Sequence, residues 1–179
     1  MESDEQLHSR IRQGDLAAFD ELYARYESSL FGFLVSSLRN RAEAEDALHD
    51  VFLRALKTPL PRLSGGGFRA WLFRIARNDA LNRHRSRGRG ANATANMLAP
   101  PAEPTAEDKL VDQELLAALA EAVERLPAPL AEVYRLRTSG LSYEEMAVVL
   151  DAPLGTVKSR MHEMVKLLRE DVKPWTAHG

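Results

Sequence analysis

The sequence of 179 residues contains no cysteine, and its apolar residues never form a long uninterrupted run. The absence of cysteine excludes disulfides, thiolate zinc sites and cysteine nucleophiles. A membrane span needs about 20 consecutive apolar residues, so no insertion into a membrane is expected. Residues 1–5 are acidic and lack the basic and apolar regions of a signal peptide. We therefore expect a soluble, cytoplasmic protein.

Strand-like alternation of apolar and polar residues is also almost absent. Apolar residues instead recur at helical spacing over residues 7–81 and 110–168, which predicts an all-α fold. Between them, residues from about 88 to 107 are dominated by glycine, alanine, asparagine, proline and threonine, and they cannot bury much apolar surface. The predicted organisation is a helical domain over residues 1–87, a flexible linker over 88–108 and a second helical domain over 109–179. A helix break is expected near Gly32.

Residues 141–170 have the order of a helix-turn-helix. Ser142 followed three residues later by Glu145 is a capping box, so a short helix should begin there. Pro153 has no N–H to donate and disfavours helix in the residue before it, which ends that helix. A second helix is predicted from about residue 154 to about residue 170. A short helix, a tight break and a longer helix are the parts of a DNA-binding helix-turn-helix.

The longer of these two helices separates its faces. At about 100° per residue, the apolar side chains that fall within one arc are Val157, Met161, Met164, Val165 and Leu168. The opposite arc is cationic and rich in donors, and it contains Lys158, Ser159, His162, Lys166 and Arg169. A solvated face on an ordinary amphipathic helix would show the same periodicity. The order of capping box, proline break and basic helix favours DNA.

A second candidate surface lies on the helix predicted over residues 68–85. Arg74, Asn78 and Asn82 are spaced four apart and form a polar stripe. Asparagine is not favoured inside helices, because its amide competes for backbone groups. Two asparagines on one stripe therefore indicate a surface that reads hydrogen bonds.

A basic run follows this helix at residues 83–89, and Asp79 is the only acid over residues 69–89. Such a block suits phosphate binding, with an affinity that falls steeply as salt rises. The alternative is the basic end of a solvated helix, which the helix dipole favours. The helix-turn-helix predicts nucleic-acid contact independently and so favours the first interpretation.

An acidic ridge lies on the helix predicted over residues 42–57. Glu43, Asp46 and Asp50 recur at three- and four-residue intervals and so line up along one side. By itself this pattern indicates only a solvated face. The net charge of −2 nevertheless hides a separation between acidic and basic surfaces.

No arrangement of residues predicts catalysis. The glycines at 65–67 do not form a phosphate loop, because no Lys-Ser or Lys-Thr pair follows them. His162-Glu163 is not a zinc-protease motif, since Lys166 stands where the second histidine is required. The other histidines are scattered singly. We predict a protein that is not an enzyme, with no catalytic residue, no cofactor and no metal site.

Four blocks of the sequence resemble bacterial sigma factors of the extracytoplasmic-function group. GDLAAFDELY at residues 14–23 resembles the start of the conserved N-terminal domain, and AEDALHDVFL at 44–53 resembles the helix that docks on the clamp of RNA polymerase. WLFRIARN at 71–78 resembles the helix that opens and reads the minus-ten promoter element. Residues 141–160 resemble the reader of the minus-thirty-five element. The resemblance spans the whole chain and implies sigma regions 2 and 4 in the two domains.

The resemblance also implies roles for individual residues. Those that would bind RNA polymerase are Asp46, His49, Asp50 and Phe52. Those that would bind minus-ten DNA are Arg74, Asn78, Asn82 and Arg85, with phosphates held by Arg74 and residues 83–89. Those that would bind the minus-thirty-five duplex are Thr156, Lys158, Ser159, Arg160 and His162. The loop at residues 58–67 would help to hold a base extruded from the stack.

The implied function is a promoter-specificity subunit that binds core RNA polymerase and promoter DNA and is held in check by an anti-sigma factor. One alternative is a sigma-like mimic that binds an anti-sigma factor without binding DNA. Such a mimic needs neither a basic stripe nor an intact recognition helix, and this chain has both. A dimeric helix-turn-helix regulator would need a ligand-binding or dimerisation domain. The N-terminal half shows no sequence pattern typical of such a domain. An enzyme is the remaining alternative.

Three positions depart from the pattern of the family. Asn82 stands where an aspartate is common, and Glu163 stands where the recognition helix often has a basic residue. A carboxylate accepts from cytosine but repels phosphate, so Glu163 indicates either a different DNA preference or a side chain turned away from DNA. Asp151 replaces a common glycine, which bears on the geometry of the turn.

Overall fold

The computed structural model describes residues 2–60, 66–89 and 109–176. Every regular element in this part of the chain is a helix, which confirms the predicted all-α fold. In chain order the helices are α1 (Asp4–Ile11), α2 (Leu16–Leu38), α3 (Arg41–Lys57), α4 (Gly67–Arg89), α5 (Lys109–Arg125), α6 (Ala128–Thr138), α7 (Tyr143–Leu150) and α8 (Leu154–Thr176). Of the helices described, none is both long and apolar enough to span a membrane.

The N-termini of α2 and α3 are capped by short polar side chains. Asp15 accepts hydrogen bonds from the N–H groups of Ala17 and Ala18 at the start of α2. Asn40 accepts from the N–H of Glu43 at the start of α3. Each bond satisfies a donor that the first turn of a helix leaves without a partner, so these helix starts follow from local sequence.

α2 runs without interruption through Gly32, so the predicted break there is wrong. A glycine inside a helix costs about 1 kcal/mol relative to alanine. The neighbouring side chains of Leu30, Phe33 and Leu34 are each at most 2% exposed, and burying one such side chain contributes about 1.5–3 kcal/mol. Packing therefore overrides the local preference.

By their contacts, the described residues of the ranges 2–89 and 135–153 form one compact unit, and those of the ranges 109–134 and 154–176 form another. α1 to α4 and α7 belong to the first unit, α5 and α8 belong to the second, and α6 is divided between them. The division into domains around a linker at residues 88–108 stays a prediction. α4 continues through Gly88 and Arg89, and residues 90–108 lie outside the described residues.

α4 is the central helix of the first unit, where it packs against α1, α2, α3 and α7. The side chains of Phe68, Leu72 and Phe73 are at most 1% exposed. The ring of Phe73 lies 5.6 Å from that of Phe33 of α2, between centroids. Glu5 of α1 accepts from the N–H of Phe68 at 3.2 Å and so caps α4 from another helix. One face of α4 is therefore fixed in the core, which sets the direction of the opposite face.

α5 packs against α8 in the second unit. The buried side chains of this unit are Ala122, Leu126, Leu130, Ala131, Val133, Val157, Met161 and Met164. Arg125 of α5 donates to Asp171 of α8 at 3.4 Å. α8 ends at Thr176, beyond the end predicted near residue 170, because residues 165–173 contain no glycine and consist mainly of good helix formers.

The capping box predicted at the start of α7 is confirmed. Ser142 Oγ accepts from the N–H of Glu145 at 3.1 Å, and a carboxylate oxygen of Glu145 accepts from the N–H of Ser142 at 2.7 Å. α7 is followed by Asp151 in the left-handed region, with φ of 51°. Aspartate tolerates this region better than most residues, because its short polar side chain can form local hydrogen bonds. Asp151 can therefore replace the glycine common in the family.

Candidate nucleic-acid interface

The exposed face of α4 carries the polar stripe predicted from the spacing of its residues. The four residues of this stripe, all exposed, are Arg74, Asn78, Asn82 and Arg85. At about 100° per residue they lie within an arc of about 80°. In the part of the chain that the structure describes, no side chain pairs with Arg74, Asn78 or Asn82. The stripe of α4 therefore offers a guanidinium and two amides to a partner, and the amides both donate and accept.

Arg83 lies in the basic run beyond the stripe, but it is held between carboxylates. It donates to Asp79 at 2.6 Å and to Asp50 of α3 at 2.5 Å. Asp79 is only 6% exposed, and its other oxygen accepts from Arg54 of α3 at 3.2 Å. Partial burial alone lowers the pKa of Arg83, but the hydrogen bond to Asp79 and the charges of Asp79, Asp50 and Asp46 raise it overall. Arg83 thus joins α4 to α3.

Two further residues of the basic run hold the C-terminal end of α2. A ring nitrogen of His84 lies 2.9 Å from the carbonyl oxygen of Ser37, and Arg87 donates to the carbonyl oxygen of Leu38 at 3.1 Å. Arg87 also forms an ion pair with Glu43 of α3. Phosphate binding by residues 83–89 stays a prediction. Because Arg83 and Arg87 already pair with carboxylates of the protein, they are less available to bind phosphates.

The residues predicted to bind RNA polymerase lie on two sides of α3. Asp46 and Asp50 are exposed on the side of α4, where both act on Arg83. His49 and Phe52 instead line a groove of about 630 Å³ between α2 and α3. The acidic ridge and the groove are therefore separate surfaces, and the charge of Asp50 is partly neutralised within the protein.

Aromatic side chains line the groove between α2 and α3. The ring of Phe52 lies 4.7 Å from that of Tyr23 and 6.3 Å from that of Phe19, between centroids. Partial burial, the hydrogen bond that Tyr23 donates to Glu27 and the charge of Glu27 raise the pKa of Tyr23. Leu53, which also lines the groove, is 38% exposed. A concave apolar surface of this kind suits an amphipathic helix of another protein.

α8 separates its faces as predicted from the sequence. Of its described side chains, those of Val157, Met161 and Met164 are buried, whereas Val165 and Leu168 of the predicted apolar arc are half-buried. Its exposed side chains include Lys158, Ser159, His162, Lys166 and Arg169. At about 100° per residue, all of these except Ser159 lie within an arc of about 80°. The exposed face of α8, defined by these five residues, is therefore cationic over several turns.

Arg160 and Thr156 lie away from the exposed face of α8. Both side chains are half-buried, and Arg160 is about 160° around the helix from the centre of that arc. Glu163 is exposed, about 100° from the same centre. Of the five residues predicted to bind the minus-thirty-five duplex, the structure therefore brings only Lys158, Ser159 and His162 to one surface.

Within the described part of the chain, no group of three or more histidine, aspartate or glutamate side chains is placed to hold a metal ion. His8 is the one buried histidine among the described residues. Its Nε2 lies 2.9 Å from the carbonyl oxygen of Ala55, and its ring contacts the rings of Phe68 and Trp71. His8 therefore joins α1 to α3 and α4.

The ion pair between Asp79 and Arg83 was missed in the sequence, although its spacing could have indicated it. Opposite charges four residues apart on a helix are neighbours. The contact from Arg83 to Asp50 had no such signal, because the two residues are 33 positions apart. Residues 61–65, the centre of the loop predicted to hold an extruded base, lie outside the described residues.

Similarity to known proteins identifies the family. The sequence models of Sigma-70 region 2 and Sigma-70 region 4 match residues 22–90 and 116–168. The RNA polymerase sigma-H factor of Pseudomonas aeruginosa is 30% identical over 192 residues, which cover 97% of this chain and 95% of that protein. The extracytoplasmic-function (ECF) sigma-E factor of Escherichia coli is 30% identical over 184 residues, which cover 96% and 95%. The chain belongs to the extracytoplasmic-function sigma factors.

Two solved structures are similar to this sigma factor. CnrH, solved in complex with the cytosolic domain of CnrY, has a TM-score of 0.68 at 24% identity and is matched over 97% of this chain and 99% of that one. The sigma factor RpoE of Bartonella quintana, solved with the anti-sigma factor NepR, has a TM-score of 0.68 at 26% identity over 87% and 96%. The family matches put the stripe of α4 in region 2 and four of the five residues of the exposed face of α8 in region 4, whose match ends one residue before Arg169. Sigma factors are regulatory subunits of transcription initiation.

Proposed function

We propose that this sigma factor, a promoter-recognition subunit of RNA polymerase, reads single-stranded minus-ten DNA with the stripe of α4 and minus-thirty-five duplex with the exposed face of α8. The observation that carries the proposal is the stripe. Arg74, Asn78 and Asn82 are exposed, while the opposite face of the same helix lies in the core. A helix packed in this way holds its outer groups in fixed positions, as recognition requires.

The groups on the stripe of α4 suit an unpaired strand. The amides of Asn78 and Asn82 can bond to the Watson–Crick edge of a base, and Arg74 can hold a phosphate. The aromatic side chains of α4 are turned inward: Phe73 is fully buried and Trp71 is 8% exposed. Recognition by this helix therefore rests on hydrogen bonds and charge, rather than on stacking against its own rings. These contacts offset the few kcal/mol that unpairing a base costs.

The exposed face of α8 suits duplex DNA. The helix has 23 residues and is about 35 Å long, enough to lie in a major groove. Lys158 and Lys166 would bind phosphates, while Ser159 and His162 can bond to base edges. Glu163 lies about 100° around the helix from the centre of this face, so a duplex bound there would not meet its carboxylate.

Contact with core RNA polymerase is assigned to α3. The groove that contains His49 and Phe52 would take apolar side chains, and Asp46 would supply charge on the other side of the helix. Asp50 would contribute less, because Arg83 already pairs with it. The polymerase performs the chemistry, so the sigma factor itself is not an enzyme. It acts where the polymerase and the chromosome are, in the cytoplasm.

An anti-sigma factor is a further proposed partner. Support comes from RpoE of Bartonella quintana, which is 26% identical and was solved with the anti-sigma factor NepR. Such a protein would compete with core polymerase for this chain. We expect it to co-purify with the sigma factor from uninduced cells, and its removal should raise the yield of complex with core polymerase.

Reconstitution with core RNA polymerase and a promoter library tests the proposal. Sequences that initiate should share a minus-ten and a minus-thirty-five element. On those promoters, Arg74→Ala or Asn78→Ala should lower strand opening about tenfold or more and leave the affinity for polymerase unchanged. Arg12→Ala is the matched control, because Arg12 is an exposed cation at the end of α1 and outside the stripe.

The outcomes of this experiment separate the alternatives. If both stripe variants opened promoters as well as the unchanged protein, the role of the stripe would be wrong. If no sequence in the library initiated although polymerase bound, the chain would fit the sigma-like mimic instead.

A further inference from the structure

The second half of α4 is held in place by polar contacts. The last buried residue among the described side chains of the helix is Ala80, at 4% exposed. None of the described side chains that follow it in α4 is buried. This half carries Asn82 and Arg85, two of the four residues of the stripe. Apolar packing therefore fixes α4 as far as Ala80, whereas the turns beyond it have no buried side chain to hold them against α2 and α3.

Four side chains take the place of packing in this half of α4. Together they are named the polar clasp, which consists of Asp79, Arg83, His84 and Arg87. Towards α2, two of its members bond to the carbonyl oxygens of Ser37 and Leu38. These carbonyls belong to the last turn of α2, where backbone acceptors lack partners and the helix dipole favours positive charge.

Asp79 is the buried member of the polar clasp. One oxygen accepts from Arg83 at 2.6 Å, and the other accepts from Arg54 of α3 at 3.2 Å. Arg83 continues to Asp50 of α3 at 2.5 Å. A buried carboxylate without such partners is strongly destabilising. The side chain of Asp79 therefore has to face α3, and this requirement selects one rotation of the helix.

The rotation of α4 decides where the stripe faces. At about 100° per residue, the centre of the stripe lies about 100° around the helix from Asp79. Turning the helix by about 30° would move the end of an outer side chain by about 3 Å, which is the length of a hydrogen bond. A small change at Asp79 would thus separate Asn82 from a base that it reads.

We propose that Asp79 and Arg83 are positioning residues for minus-ten recognition, which fix the rotation of the second half of α4 so that Asn82 and Arg85 face the DNA strand. The inference rests on the function proposed for the stripe. Arg83 keeps its charge within the protein and does not bind phosphate. This role accounts for an acid in the middle of a basic helix.

Asp79→Asn tests the proposal, because rival roles predict opposite results. The variant chain is assembled with core polymerase and titrated with a single-stranded oligonucleotide that carries the minus-ten sequence shared by initiating promoters. If Asp79 positions α4, the affinity falls about tenfold, the typical effect of one misplaced base contact, and its salt dependence is unchanged. If Asp79 only masks Arg83, the cation keeps Asp50 as its one carboxylate partner, and its greater availability tightens binding and steepens the slope of log affinity against log salt by up to about 0.7. Tighter binding or unchanged affinity overturns the proposal.

Arg83→Met examines the other partner of the pair. Positioning predicts a similar loss of affinity with the salt slope unchanged, and Arg83→Lys should recover part of it. A fall in the slope by about 0.7 would mean that Arg83 binds phosphate, and this result overturns the proposal. Arg25→Met is the matched control, since it removes ion pairs with Asp4 and Glu21 outside α4. At a temperature where every variant is folded, this control should bind the oligonucleotide as the unchanged chain does.

A second measurement does not depend on DNA. Because the chain has no cysteine, spin labels can be attached at Asn82→Cys on α4 and Ala24→Cys on α2, both at exposed positions. Adding Asp79→Asn should shift or broaden the distance distribution by about 3 Å. An unchanged distribution overturns the positioning role. If the labels respond but the unchanged protein with polymerase binds no minus-ten strand, the function proposed for the stripe fails and the fixed rotation of α4 stands.

Discussion

α4 and α8 are both basic helices of 23 residues, but they use their charge differently. In α4, Arg83 and Arg87 pair with carboxylates of the first unit. In α8, Lys158 and Lys166 are exposed, and no residue in the described ranges pairs with them. The same kind of residue therefore stabilises the fold in one helix and faces solvent in the other.

This difference shows that a count of basic residues overestimates the charge available to DNA. A guanidinium that already pairs with a carboxylate releases no counterion from DNA unless that pair is broken first. The salt dependence of promoter binding should therefore come mainly from α8, whereas stability should depend more on the arginines of α4. The following variants separate loss of DNA binding from loss of stability and from loss of polymerase binding.

The largest effect is expected from removing exposed charge on α8. Lys158→Ala with Lys166→Ala should weaken binding of minus-thirty-five duplex by the polymerase complex about thirtyfold at physiological salt and lower the salt slope by about 1.8. The melting temperature should stay unchanged, because neither side chain has a partner to lose. Anisotropy titrations at several salt concentrations measure both quantities. Lys57→Ala, an exposed lysine at the end of α3, is the control, and an unchanged slope in the double variant would contradict the DNA assignment of α8.

A loss of stability is expected from the corresponding change on α4. Arg87→Met removes the ion pair with Glu43 and the hydrogen bond to Leu38. The free energy of unfolding should fall by about 1–2 kcal/mol, a range that allows for solvent screening of a partly exposed pair. Urea unfolding measures this change. A salt slope lowered to the extent seen for the lysines of α8 would show that Arg87 contacts DNA after all.

A smaller effect separates helix stability from charge. Ser142→Ala removes the cap of α7, and it should lower the free energy of unfolding by about 1 kcal/mol without altering the salt slope. Ser142→Asn is the matched control, since asparagine also caps helices well. If Ser142→Ala and Ser142→Asn lowered the free energy of unfolding equally, loss of the capping box would not be the cause of the destabilisation.

The smallest effect is expected on polymerase binding through α3. Asp46→Ala should weaken assembly with core polymerase about threefold, as expected for an exposed charge pair. Asp50→Ala should weaken it less, because Arg83 already neutralises Asp50. Competition binding with labelled core polymerase measures the two affinities. A larger loss for Asp50→Ala would mean that polymerase displaces Arg83 from this carboxylate.

Much of the fold was predictable because its determinants are local. The capping box of Ser142 and Glu145 and the cap by Asp15 depend on residues within one turn. The stripe of α4 and the buried arc of α8 follow from helical periodicity. The expected break at Gly32 failed for the opposite reason, since packing of α2 into the core outweighs a local preference of about 1 kcal/mol.

The amino-acid sequence by itself determined the helices, their buried and exposed faces, and the membership of the sigma family, because these depend on spacing along the chain. Only the tertiary structure decided which arginines stay available to DNA and which pair with groups of neighbouring helices. Arg83 and Asp50 are 33 positions apart and Arg87 and Leu38 are 49 apart, so no periodicity connects them. Ion pairs and hydrogen bonds between helices form wherever packing brings the groups together, and packing is a property of the whole folded chain.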